Sequence, residues 1–176
     1  MTNRVVITGM GGVSSIGMSV PEIYNSMKEG RSGIGGLEFP DVTRLKVRNG
    51  GQIKNFDPGE HFEAKQIGRM DRFSQFALIA AKEAIASSGL ENSLEDWSGN
   101  AGIILGSSIG GIETINQSYK QVFEKGYNKL HPLTIPKIMN NSATSLISIE
   151  YRIQGPSFTV SSACSSANHA MGLAYE

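Results

Sequence analysis

The chain has a single cysteine, Cys164, and that scarcity closes off several kinds of protein. One thiol cannot form an internal disulfide or supply the cysteine set of a structural zinc site, so neither a disulfide-stapled module nor a zinc ribbon is expected. Such usage agrees with a reducing compartment. An excess of charge of either sign is also missing: 16 Lys and Arg balance 16 Asp and Glu. That balance argues against general attraction to nucleic acid or membrane and leaves only local patches to consider. No apolar run approaches the ~20 residues that span a bilayer, and the first residues pass directly into a strand-like run without a signal-peptide core. The expectation is a cytoplasmic protein. Internal repeats and low-complexity tracts are lacking too.

The composition suits one globular domain: 176 residues, 39% hydrophobic and 18% charged, with 21 glycines that fall in pairs and clusters at strand ends. Arg4 to Thr8 reads as a buried strand that runs into a glycine turn. Ser19 and Glu22 have capping-box spacing with Pro21 in the first turn, and Gly30 supplies the stop of the helix they start. Arg31 to His61 is polar and glycine-rich, with Asn49-Gly50 between Val47 and Ile53 suggesting a small hairpin. Met70, Phe73, Ala77, Ala80, Ala81 and Ala84 recur at helical spacing and predict a helix to Ser88, ended by Gly89, whose alanines permit close packing. Ala101 to Leu105 is a second buried strand, Ile112 to Lys125 an amphipathic helix, and Pro136 to Tyr151 another helix. Strands alternating with helices argue for an α/β fold with a mixed, mostly parallel sheet covered on both faces.

The chemistry concentrates at the end. Gly155 and Pro156 stop a helix and launch a strand over Ser157 to Val160, after which Cys164 stands at the start of a small-residue helix. Helix dipoles and unpaired N–H groups favour negative charge at that point, and the flanking Ser and Ala leave space above the sulfur. A buried, inert thiol is the plain alternative, since free cysteine is commonly a small core residue. The sharp turn and small neighbours favour a nucleophile elbow. His169, five residues on and about 140° around a helix, faces away from the thiol, while His61 and His131 lie in polar loops. Gly9-Met10-Gly11-Gly12 invites a dinucleotide reading, but Ser14 replaces the third glycine and the helix begins too late.

Gly155-Pro156-Ser157 with Ser162-Ala163-Cys164-Ser165-Ser166-Ala167 resembles the active-site segment of the β-ketoacyl synthases, the thiolase-like condensing enzymes. Arg4 to Gly11, Gly30 to Ile34, Arg69 to Phe73 and Gly106 to Gly111 resemble further segments of that family, in the family's order. The resemblance covers essentially the whole chain. It implies the N-terminal half of a five-layer α/β/α/β/α architecture, with residues 1–176 forming an N-terminal domain that stops inside the cysteine helix.

It also implies a function: decarboxylative condensation of an acyl thioester with malonyl-acyl carrier protein in fatty acid or polyketide synthesis, through an acyl-enzyme on Cys164. The Cys164 N–H would help hold the oxyanion, while the family's second donor and its catalytic histidines and lysine lie beyond Glu176. Ile109 resembles a residue lining the acyl pocket, and Leu133 and Thr134 resemble pocket residues given across a dimer interface. Ile109 reads equally as a packing residue. Lys65, Arg69 and Lys129 fall where the family meets its acidic carrier protein, although scattered cations are commonly a solvated surface. Asp71 and Arg72 read either as a helix-start acid and an exposed base or as part of that docking segment. The resemblance implies no cofactor and no metal, a homodimer, and acyl carrier protein with acyl and malonyl thioesters as partners. Retention of Cys164 argues against the chain-length-factor branch. A coenzyme A thiolase and an inert fragment or partner subunit are the alternatives.

Overall fold

The computed structural model describes residues 4–39 and 41–176. The first helix, α1 (Val20–Lys28), starts where its capping residues place it: Ser19 Oγ accepts from the Glu22 N–H, and Gly30 stands just past its end at φ +67°. The Glu22 carboxylate reaches one residue further back than a capping box requires and accepts from the Met18 N–H at 2.8 Å. Strands β1 (Ile34–Gly36) and β2 (Asn49–Gly51) pair antiparallel. The small hairpin expected to turn at Asn49-Gly50 is not formed, because those residues pair with Ile34–Gly36 instead. Asn49 and Gly50 lie inside the strand, and just beyond the paired residues the Leu37 N–H is bonded to the Arg48 carbonyl.

Short helix α2 (Ala64–Ile67) leads to α3 (Arg72–Ser88), which Gly89 ends at φ +76° as its position predicts. Next come α4 (Leu94–Trp97), β3 (Ile103–Gly106) and α5 (Ile112–Tyr119), the last continuing through a wider π turn at Lys120–Glu124. The helix predicted from Pro136 to Tyr151 is two: α6 (Thr134–Ile138) and α7 (Ser142–Glu150). Between them Met139 is extended, at ψ 139°. Gly110 packs so closely on the Ile138 carbonyl and the Met139 and Asn140 backbone that it leaves no room for a side chain, so a tertiary contact sits at the break. Strand β4 (Ser157–Val160) and helix α8 (Ser166–Tyr175) complete the chain.

β3 and β4 pair in parallel, Ile103 opposite Ser157 and Gly106 opposite Val160. Residues two apart share a face. Thr159 bonds Thr144 of α7, and Ile103 joins the core formed by Met70, Leu78 and Ile147, so the Ile103, Leu105 and Thr159 face looks at α3 and α7. Gly106, on the other face, lies against the Ser166–Ala167 backbone of α8. The sheet is thus covered on both sides, as expected for the α/β class. Within the described residues the strands form two separate pairs, one parallel and one antiparallel, and not one mixed sheet.

The strand expected over Arg4 to Thr8 is absent from this arrangement. No neighbouring strand among the described residues offers it a ladder, and Val5, Val6 and Ile7 are exposed. The glycine turn after it is ordered by α3. Gly9 and Gly11 press on the α3 backbone at Ala84 and Ala80, where any Cβ would collide, so these glycines serve helix contact. Glu83 of α3 then accepts from the Gly12 N–H (2.9 Å) and the Val20 N–H (2.8 Å), tying the glycine turn and the start of α1 to one carboxylate. Small residues also close α3 onto α7: Ser74 and Ala143 are fully buried and Ser74 Oγ meets Ser142 Oγ at 3.4 Å.

Candidate active site

The elbow at the end of β4 is strained. Ala163 has φ +52°, a left-handed conformation that costs an alanine on the order of 1–3 kcal/mol. Serines hold it there. The Ser162 N–H donates to Ser166 Oγ (2.9 Å), the Ser162 carbonyl accepts from Ser165 Oγ (2.8 Å), and the Ala163 carbonyl accepts from Ser166 Oγ (2.8 Å). Cys164 lies in the single 3-10 turn Ala163–Ser165 that precedes α8, and it is exposed and unpaired. The sequence places this cysteine at a helix start, and the turn puts it just ahead of the first α-helical residue, Ser166. Gly106 matters to this site because α8 begins directly on it.

His169 is not idle. Its Nδ1 lies 2.6 Å from Ser162 Oγ, so the ring joins α8 to the strand side of the elbow. Spacing alone could not show this, because Ser162 and His169 are joined across a non-helical turn and share no helical face. His61 stacks on Phe56, and His131 Nδ1 accepts from the Leu133 N–H, both in loops.

Ile109 stands exposed on the loop between β3 and α5, its carbonyl accepting from Ser107 Oγ. Gly110 and Gly111 of that loop press on the end of α6, while Gly106, the last residue of β3 just before the loop, touches the start of α8. Leu133 is half-buried and lines a cavity of about 410 Å³ with Arg69, Met139, Leu146 and Ile149. Thr134 is turned inward, only 9% exposed, which leaves it little surface to offer another subunit; Ile135 beside it is 62% exposed and is the apolar side chain that this segment presents.

Lys65, Arg69 and Lys129 are all exposed, and among the described residues none is paired with an acid. Lys65 belongs to α2, whose start is fixed by reciprocal bonds between Glu63 and Gln66. Arg69 and Leu133 share a cavity wall, which brings the α2–α3 junction to α6; Lys129 precedes α6 in a loop.

The Asp71-Arg72 pair has a larger part than a helix-start acid beside an exposed base. Asp71 is 5% exposed and caps two helices: Oδ1 accepts from the Phe73 N–H of α3 (3.3 Å) and Oδ2 from the Thr114 N–H of α5 (2.7 Å). The expected helix-start acid is there, joined to a second helix start. Arg72 is half-buried and not the exposed base of the plain reading: it bonds the Ile53 carbonyl and lies over the Phe56 and Phe76 rings. Both line a polar cavity of about 450 Å³ with Gln75, Thr114 and Lys137. Among the described residues no group of metal-ligating side chains is assembled.

The family model described as "Beta-ketoacyl synthase, N-terminal domain" matches residues 2–176. The 3-oxoacyl-[acyl-carrier-protein] synthase 2 of Staphylococcus aureus (strain COL) is 35% identical over 173 residues, covering 98% of this chain and 42% of that protein. A solved structure of the ishigamide ketosynthase/chain length factor aligns with a TM-score of 0.80 at 26% identity, over 92% of this chain and 40% of the other. A beta-ketoacyl synthase from Burkholderia phymatum STM815 aligns with a TM-score of 0.77 at 29% identity, over 98% and 42%. The architecture is that of these ketosynthases, the thiolase-like fold, and the chain spans less than half the length of the relatives it matches.

Proposed function

This chain belongs to the beta-ketoacyl synthase family, which it matches through the N-terminal domain, and from that membership we propose that it is the nucleophile-bearing half of a β-ketoacyl-[acyl-carrier-protein] synthase. Cys164 takes the acyl group from a carrier thioester: its sulfur attacks the carbonyl, the carrier thiol leaves, and a thioester on Cys164 results. Malonyl carrier protein then loses CO2, and the carbanion left behind attacks the acyl-enzyme, releasing the Cys164 thiolate and the β-ketoacyl carrier. Splitting one carbon-carbon bond formation into two transfers is the contribution of covalent catalysis. The Cys164 N–H, in a turn at the mouth of α8, is one donor to the oxyanion. The observation that carries this reading is the elbow itself: a left-handed alanine held by serine bonds, with the one cysteine exposed directly after it.

The other residues take their roles from the same reading. Ile109 lines the acyl pocket, and Leu133 with the exposed Ile135 is the part of this segment offered across a homodimer interface, Thr134 beside them being turned inward. The apolar side chains of Ile112, Ile115, Tyr119 and Phe123, exposed along α5 and its π turn, support a second subunit nearby. Lys65, Arg69 and Lys129 meet the acidic carrier protein, a partner that the name of the staphylococcal relative contains. The location is cytoplasmic; among the described residues no helix is long and apolar enough to cross a membrane. The remaining donors and bases for decarboxylation come from residues outside these 176.

The test is intact-mass measurement of the full-length protein after incubation with an acyl carrier thioester, with malonyl carrier protein added afterwards. One acyl adduct, lost in Cys164→Ala, and CO2 release with an extended product are expected. Acylation by acyl-CoA in preference to the carrier thioester would move the protein to the thiolases. No adduct from either donor would leave the inert-module reading.

A further inference from the structure

Three polar side chains converge on the residue before the strained alanine. The Ser162 N–H and carbonyl are engaged by Ser166 and Ser165, and its hydroxyl is engaged by His169 at 2.6 Å. The first two bonds come from residues in or next to the turn that Cys164 itself occupies. The third is different, because His169 sits about one helical turn into α8, and α8 is seated on β3 through Gly106. His169 thus ties the turn to the body of the sheet and helix. Without that tie, Ser162 is restrained only by its immediate neighbours, and the left-handed state of Ala163, unfavourable by itself, is free to relax.

We propose that His169 is a positioning residue for the nucleophile: through Nδ1 and Ser162 Oγ it holds the elbow in the conformation that presents Cys164. The inference rests on the reading of Cys164 as the acyl-accepting thiol for its biological meaning. Its physical content, that this bond adds the tie from the elbow to the body of α8 beyond the local serine bonds, stands apart from that reading. Either the hydroxyl or the imidazole donates, since both groups can do either. The ring position that matters is Nδ1. An asparagine side chain carries a polar atom at that distance from Cα and a glutamine carries one nearer the Nε2 position, so the two amides separate a specific bond from a general polar requirement.

The full-length protein is compared with His169→Asn, His169→Gln, His169→Ala and Ser162→Ala, by the rate of Cys164 alkylation with iodoacetamide, the rate of acyl transfer from an acyl carrier thioester, and Tm. Losing one hydrogen bond of ordinary strength predicts that H169A, H169Q and S162A react about tenfold more slowly in both assays. H169N is expected to stay within about threefold of the parent, and the H169A/S162A double variant to be no slower than either single, because both remove the same bond. Alkylation and acylation at parental rates in H169A would overturn the proposal, as would H169N as slow as H169A, or additive losses in the double variant. Should H169A fail to fold, S162A, which removes only the hydroxyl, carries the same comparison. If the parent is alkylated but not acylated by the carrier thioester, the reading of function fails while the alkylation series still decides the role of His169.

Discussion

Replacing Asp71 by alanine takes one carboxylate away from two helices at once. Oδ1 caps α3 through the Phe73 N–H, and Oδ2 caps α5 through the Thr114 N–H, inside a site where both Asp71 and Thr114 are buried. Loss of an N-cap costs about 1 kcal/mol. Leaving the Thr114 N–H buried without an acceptor adds about 1–3 kcal/mol, because alanine offers nothing in return and the helix dipole loses its negative partner. The expected total is about 2–4 kcal/mol. Asparagine keeps one acceptor oxygen and turns an NH2 group toward the other donor, so Asp71→Asn should lose one of the two bonds and the charge, about 1–2 kcal/mol. Urea unfolding monitored by the fluorescence of Trp97, the sole tryptophan, measures both, and the slope should be unchanged if only the folded state is affected. Amide exchange at Thr114 gives the local signal: it should quicken in Asp71→Ala more than global unfolding explains. An Asp71→Ala variant within about 0.5 kcal/mol of the parent, or one no worse than Asp71→Asn, would refute the double-cap account.

Reversing Lys65, Arg69 and Lys129 to glutamate should weaken carrier binding by at least about tenfold and flatten its dependence on salt, since rim charges act mainly through screened long-range attraction; calorimetry or surface binding at two ionic strengths checks it, and unchanged affinity and salt slope would remove the docking patch. Burial raises the Tyr151 phenol above its usual value, with Glu150 and then Glu91 adding to the effect. A raised pKa means that the folded chain keeps the proton more tightly than the unfolded one, so this contribution is fully present below about pH 10 and is lost as pH rises through the folded value. Tyr151→Phe should therefore make the alkaline fall in stability shallower, and an identical fall in both proteins would show that Tyr151 has no part in it.

Much of the local structure is legible in the sequence, because it depends on near neighbours. Ser19, Gly30 and Gly89 mark helix ends by backbone chemistry that acts over a few residues, and all three stand where the sequence places them. Strand Ser157 to Val160, leading into a sharp turn at Cys164, is likewise readable from Gly155, Pro156 and the run of small residues. Where the fold departs from the local pattern, the cause lies in residues far apart along the chain. Arg4 to Thr8 has a strand's composition, but a strand exists only with a neighbour to bond, and none is supplied among the described residues. Asn49-Gly50 has the composition of a tight turn and forms a strand because Ile34 to Gly36 pairs with it. The helix expected from Pro136 to Tyr151 divides at the Met139–Asn140 backbone, where Gly110 presses. The site divides in the same way. Local sequence marks Cys164 as the candidate nucleophile. Its support by Ser162 and His169 across a left-handed alanine, the seating of α8 on Gly106, and the sharing of Asp71 between two helix starts arise from packing that only the folded chain brings together.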